Sequence, residues 1–218
     1  MIRAFIFDLD GVLVDTAKYH YLAWKKLADR LGLKFNIKDN ELLKGVSRRR
    51  SFEIILELND MKMTEEEILR YCTEKNECYL DYIRELKKEE ILPGAREFLE
   101  EAKDAGFRIA LGSASKNSGL ILDRLGITEL FDAIIDGTKI QSAKPDPEVF
   151  LKGAEELNVP PEECVVFEDS SAGIAAAHAG HMKSVGVSNS SLTPYCDYYI
   201  DSFLDVDARV LAKKVAGE

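Results

Sequence analysis

A chain of 218 residues is long enough for one substantial hydrophobic core, or for one core with a small accessory domain. Apolar residues make up 46% of it, with only 14 Gly and 6 Pro, a balance that excludes a largely disordered protein. Setting 39 acidic against 29 basic side chains leaves a net charge of −10, which disfavours nucleic acid and anionic membranes as partners and obliges an anionic substrate to find a local cationic pocket.

The first apolar run, Ala4 to Phe7, meets Asp8 and Asp10 before a signal-length segment can form, and no later run is long enough to span a bilayer, so a cytoplasmic location is expected. From residue 17 to residue 87 the pattern is helical, with few glycines and no strand-like run, and this stretch is too long for a loop. It predicts a helical insertion with hinges at Asp15 to Ala17 and Lys87 to Leu92. After Pro93-Gly94 the pattern alternates. Apolar runs at Ile109 to Gly112, Ala133 to Ile135, Val165 to Phe167 and Val185 to Val187 are continuous, as in strands buried on both faces of a parallel sheet.

Between and around these runs lie amphipathic segments. Ala95 to Ala105 stops at Gly106, Ser118 to Leu125 at Gly126, and Ser171 to Ala179 at Gly180, while Pro147 opens a helix through Leu157. The expected fold class is therefore α/β, a doubly wound, mostly parallel sheet that includes the first strand. Residues 1–16 and 88–218 would form the catalytic core, and 17–87 a helical cap domain inserted after the first strand; the protein is expected to act as a monomer. Cys72, Cys78, Cys164 and Cys196 show no C-x-x-C pairing and read as bystander thiols, and His178 with His181 reads as a solvated helix end.

The sharpest chemical signal is Phe7-Asp8-Leu9-Asp10-Gly11-Val12. Two carboxylates two residues apart at the end of a strand point the same way, and the carboxyl ends of strands in an open α/β sheet border the ligand crevice. Glu168-Asp169 follow Val165 to Phe167 and should emerge at the same edge. Four converging carboxylates repel one another, and a hard cation such as Mg²⁺ relieves that repulsion and can bridge to phosphate. Ser113-Ala114-Ser115-Lys116-Asn117, between a strand and a helix, can present hydroxyl and N–H groups to an anion. Lys144 in Ser142-Ala143-Lys144-Pro145-Asp146-Pro147 sits in rigid backbone, which suits a fixed point charge.

In order and residue type, these four segments resemble the four motifs of the haloacid dehalogenase superfamily of phosphotransferases and phosphatases, a Rossmann-like core fold. The resemblance implies Asp8 as nucleophile, Asp10 as general acid and base, Ser113 and Lys144 as phosphate ligands, and Mg²⁺ held by Asp8, the Asp10 carbonyl and Asp169, with Glu168 supporting or ligating. It also implies that the insertion is a cap that closes over the site and sets the substrate.

Within the insertion, Thr16, His20 and Trp24 are spaced by four and share one helical face. Lys44-Gly45-Val46-Ser47-Arg48 places a glycine-containing turn between two cations, suited to a second phosphate. With the D-x-D-G-V-x-x-D-T start and S-A-S-K-N after the second motif, the sequence resembles the β-phosphoglucomutase family in particular. That resemblance implies Arg48 on the phosphate distal to Mg²⁺, His20, Ser51 and Lys75 in the cap, and Ser115, Lys116 and Asn117 toward the substrate from the core. The expected reaction interconverts β-glucose 1-phosphate and glucose 6-phosphate through a bisphosphate. A sugar-phosphate phosphatase with the same nucleophile is the alternative, and a catalytically silent binding protein a third reading. Arg49 and Arg50 make the cap segment more basic than that family leads one to expect.

Overall fold

The computed structural model of the chain describes residues 1–43 and 47–218. A six-stranded, all-parallel sheet is built from β1 (Ala4–Phe7), β2 (Arg108–Gly112), β3 (Ala133–Ile135), β4 (Cys164–Glu168), β5 (Lys183–Val187) and β6 (Tyr198–Ile200), in the order β3-β2-β1-β4-β5-β6. The first strand lies at the centre, paired with β2 on one side and β4 on the other, so the strand order reverses there. That switch is where open α/β sheets leave a crevice.

Strand β1 is buried on both faces, and its alternating side chains serve two separate layers. Phe5 and Phe7 point toward one face, where Phe5 stacks on Phe107 at 4.3 Å and Phe7 on Phe167 at 4.5 Å, with Phe98 and Phe203 close by. Ala4 and Ile6 face the other layer, packing with Ala110, Val166, Phe150 and Ala154. Each buried ring or branched side chain contributes about 1.5–3 kcal/mol. This is why short apolar runs suffice to fix the sheet.

The chain divides into two compact units, Met1–Asp15 with Leu86–Glu218, and Thr16–Glu85. The second unit holds α1 (Ala17–Arg30), the short α2 (Ile37–Asn40), α3 (Arg48–Glu57) and α4 (Glu65–Arg84). Its core gathers Trp24, Leu27, Phe52, Ile55, Leu56, Ile68 and Cys72, with the Trp24 indole stacked on Phe52 at 5.7 Å. Thr64 and Glu67 form a capping box at the start of α4, with three acidic residues in its first turn, so sequence and helix dipole agree there. No β-strand occurs among the described residues of this unit.

The first unit adds α5 (Ala95–Asp104), α6 (Ser118–Leu125), α7 (Glu148–Leu157), α8 (Ser171–Ala179) and α9 (Ala208–Ala216). Neither β6 nor α9 is among the elements expected from the apolar runs. Ser47 at the start of α3 accepts the Arg50 N–H at 3.2 Å, so Arg48 opens a helix instead of sitting in a turn. The cation pair expected at the ends of that turn is thus described only in part, since Lys44, Gly45 and Val46 lie outside the described residues. All four cysteines are free. Among the described residues no helix is long and apolar enough to cross a membrane.

Candidate active site

Register decides which side chains meet. Phe7 lies level with Leu111 of β2 and Phe167 of β4, so Asp8, Ser113 and the Glu168-Asp169 pair all leave the sheet at its carboxyl edge. The Asp8 N–H donates to Phe167 O at 3.0 Å and the Ser113 N–H to Ile135 O at 2.9 Å, so both residues are still held by the sheet as the chain turns away. The loop after β1 is tight: the Gly11 N–H donates to Val14 O at 2.8 Å.

Lys144 is the centre of the cluster. Its ammonium contacts Asp8 Oδ1, donates to Glu168 Oε1 at 2.6 Å, and lies 4.6 Å from the Phe150 ring centre. Glu168 is fully committed, because its other oxygen accepts the Ser170 N–H at 2.9 Å and the Ser170 hydroxyl at 2.8 Å. Burial opposes the lysine's charge, but Asp8 and Glu168 outweigh it and raise its pKa, so Lys144 stays an ammonium. The lysine is positioned from its own loop as well. Glu148 accepts N–H groups from Gln141 at 2.9 Å and Ser142 at 2.7 Å, pinning the segment just before it, and the Lys144-Pro145 peptide is cis.

Four carboxylates against one lysine leave an excess of three negative charges, and the carboxyl groups register it. Asp169 is pushed up to about 7, first by burial and then by Glu168 and Asp10. Asp8 is raised well above the ordinary range by burial, with Lys144 opposing and Glu168 and Asp10 adding to the rise. With Lys144 bridging Asp8 and Glu168, no three acidic, imidazole or thiol groups among the described residues are arranged as a finished metal cage. The donor set nevertheless suits a hard cation, since Asp8, Asp10 and Asp169 offer only oxygen and an added positive charge would favour their ionised forms.

Two glycines, Gly11 inside the first motif and Gly173 beyond the last, shape this cluster, and the motif reading gave neither a role. Gly11 adopts φ +83°, and a Cβ there would lie 2.1 Å from Asp169 Oδ2. A Cβ on Gly173, in the first turn of α8, would lie 1.9 Å from Glu168 Oε1. Both acids therefore lie flat against bare backbone, and D-x-D-G and E-D-x-x-x-G are the signals that mark it. Ser170, which orients Glu168 and also caps α8 by accepting the Gly173 N–H at 3.1 Å, was likewise missed.

The segment Ser113 to Asn117 folds on itself before α6. Ser113 Oγ accepts the Ser115 N–H at 3.1 Å and Ser115 Oγ accepts the Asn117 N–H at 3.2 Å, which leaves both hydroxyl protons available to an anion. Ser113 is buried, while Ala114 and Lys116 are exposed.

The helical unit brings a second set together. Lys75 is buried, with Nζ 2.7 Å from His20 Nδ1 and at 4.9 and 5.0 Å from the ring centres of Trp24 and Tyr79. His20 stacks on Tyr79 at 4.2 Å. Tyr79 was not anticipated, though it lies four residues after Lys75 on the same helical face. Thr16 and Ser51 are buried, and Trp24 belongs to the packed core of the unit. Arg48 is exposed and forms no ion pair with a described residue, whereas Arg49 pairs with Glu53 and Glu65 and Arg50 with Glu57. Among the described residues the basicity of that segment is thus largely neutralised, and Arg48 is the arginine there without an ion pair.

The family model described as haloacid dehalogenase-like hydrolase matches residues 2–181, which include all four motif segments. The chain belongs to this family. Among members of the haloacid dehalogenase-like family, it is 43% identical to a β-phosphoglucomutase of Bacillus subtilis over 85% of its own length and 83% of that protein's. A crystal structure of β-phosphoglucomutase from Clostridium difficile superposes with a TM-score of 0.91 at 44% identity, covering 100% of this chain and 98% of that one. The family also supplies a phosphorylated carbohydrates phosphatase of Thermotoga maritima, 35% identical over 86% of each chain.

Proposed function

We propose that this protein is a Mg²⁺-dependent phosphomutase that interconverts β-glucose 1-phosphate and glucose 6-phosphate through an aspartyl-phosphate on Asp8. The observation that carries a phosphoryl-transfer site is Lys144 bridging Asp8 and Glu168 at the carboxyl edge of the sheet, with Asp169 beside them. The choice of a mutase is supported by the 43% identity to a β-phosphoglucomutase along most of both chains.

In this reading an Asp8 carboxylate oxygen forms a bond to phosphorus as the bond from phosphorus to the sugar oxygen breaks. Asp10 gives a proton to the departing oxygen and later accepts one from the incoming hydroxyl. Lys144 and Ser113, with the N–H groups of the Ser113 to Asn117 segment, hold the transferring group. Glu168, whose oxygens are engaged by Lys144 and Ser170, keeps Lys144 in place. Mg²⁺, held by Asp8, the Asp10 carbonyl and Asp169, would neutralise charge on the transferring phosphoryl group and favour ionised Asp8. A bisphosphate intermediate needs a second anion site. Arg48, at the start of α3 and without a carboxylate partner among the described residues, suits that role, with His20 and Lys75 contributing polar groups of the same unit.

The second reading, a sugar-phosphate phosphatase, is favoured by the 35% identity to the Thermotoga phosphatase and differs only in whether water accepts the phosphoryl group. Both readings share the nucleophile. Asp8→Asn, nearly the same shape and neutral, is expected to keep the fold and to abolish both turnover and phosphoenzyme formation on every phosphate ester. Turnover retained by that variant would remove Asp8 as nucleophile.

A further inference from the structure

The loop that follows β5 reaches the metal-side carboxylates through one side chain. Ser188 turns the chain with φ +57°, and it is anchored by its N–H to Ile200 O at 3.0 Å and its hydroxyl to Asp201 O at 3.1 Å. The next residue, Asn189, is half-buried and donates from Nδ2 to the backbone carbonyl of Asp169 at 2.9 Å. Its Oδ1 accepts the Ser191 N–H at 3.3 Å and the Ser191 hydroxyl at 2.7 Å. Two donors on one branch and a carbonyl on the other leave the amide one sensible orientation.

The peptide between Asp169 and Ser170 is therefore gripped at both polar atoms, its C=O by Asn189 and its N–H by Glu168 Oε2 at 2.9 Å. Rotating that plane breaks one grip or the other, so the backbone that carries the Asp169 side chain, which lies against Gly11, is held in place. No other residue type fits the position as well, since it needs a donor and an acceptor on neighbouring branches of one short side chain.

We propose that Asn189 is a positioning residue for the Mg²⁺ site, holding the Asp169–Ser170 peptide and so the Asp169 carboxylate in the orientation that takes the cation. This rests on the reading of Asp169 as a ligand. Groups that orient metal ligands without touching the metal commonly govern its affinity.

The test is calorimetric titration of the metal-free protein with MgCl₂, which reads binding directly and needs no turnover. Asn189→Ser keeps a side chain that caps the Ser190–Leu192 turn but is too short to reach Asp169, and it adds no charge. It is expected to weaken Mg²⁺ binding about tenfold or more, with the thermal midpoint of the metal-free protein and kcat at saturating Mg²⁺ near wild type. Ser191→Ala, which removes the hydroxyl that donates to Asn189 Oδ1 but keeps the capping N–H and the tie to Asp169, is expected to bind Mg²⁺ as wild type does. An Asn189→Ser affinity within about twofold of wild type would overturn the proposal. Asp169→Asn is titrated in parallel and should lose binding; binding unchanged by that substitution would bring down the metal-site reading itself, and this inference with it.

Discussion

At the scale of single residues, the contact between His20 and Lys75 sets a protonation state. An ammonium can only donate, so His20 Nδ1 accepts from Lys75 and the ring proton sits on Nε2. Burial, then Lys75, then Arg48 hold the imidazole well below its ordinary pKa. The unfolded chain consequently binds a proton near the ordinary value of about 6.5 that the folded one refuses, and stability falls as pH drops below that value toward the folded pKa. Between about pH 7.5 and 5.5 the thermal midpoint of wild type should shift downward relative to that of His20→Gln, which has no imidazole to charge. A constant difference between the two would remove His20 as the source. The i, i+4, i+8 spacing of Thr16, His20 and Trp24 identified the helical face, but the lysine partner comes from 55 residues away, and no local pattern carries a contact of that kind.

At the scale of elements, what the sequence revealed tracks burial on both faces. The runs behind β1 to β5 were legible because a strand covered by helices on each side must be apolar throughout, as Val165, Val166 and Phe167 are. Strand β6 escaped because it is a three-residue edge strand, Tyr-Tyr-Ile, with two of its residues only half-buried, and α9 because it follows that edge. At α3, reading a basic turn was incomplete for a different reason. The Ser47 cap makes Arg48 helical, and the neighbouring charges are absorbed by glutamates one and two turns on and at the head of α4. Exposed ion pairs of this kind are worth about 0–1 kcal/mol each, so they neutralise more than they stabilise. Arg48→Ala should therefore lower kcat/KM for β-glucose 1-phosphate about tenfold to a hundredfold, the loss expected for one charged hydrogen-bonding partner, while Arg49→Ala changes it by less than about threefold. Steady-state kinetics on the two variants decide this, and equal losses would argue that the segment acts through its total charge.

At the scale of the whole molecule, a chain of net charge −10 that is to take the doubly phosphorylated sugar of the proposed reaction must concentrate cations where phosphate would sit. Lys144 is such a cation in the core unit, and Arg48 and Lys75 are candidates in the helical unit. The core set was readable from motif order because each acid lies at or just past a strand end and Lys144 in the loop between β3 and α7; Ser170 and Gly173 support Glu168 through the local turn into α8, whereas the contact of Asn189 depends on how two loops approach one another. Relatives of the chain include both a mutase and a phosphatase, so the destination of the phosphoryl group is the quantity that matters most. Phosphorus NMR of the enzyme with Mg²⁺, β-glucose 1-phosphate and a trace of β-glucose 1,6-bisphosphate follows it directly. Conversion to glucose 6-phosphate without accumulating inorganic phosphate is the expected result, and release of inorganic phosphate with no glucose 6-phosphate would contradict the mutase assignment.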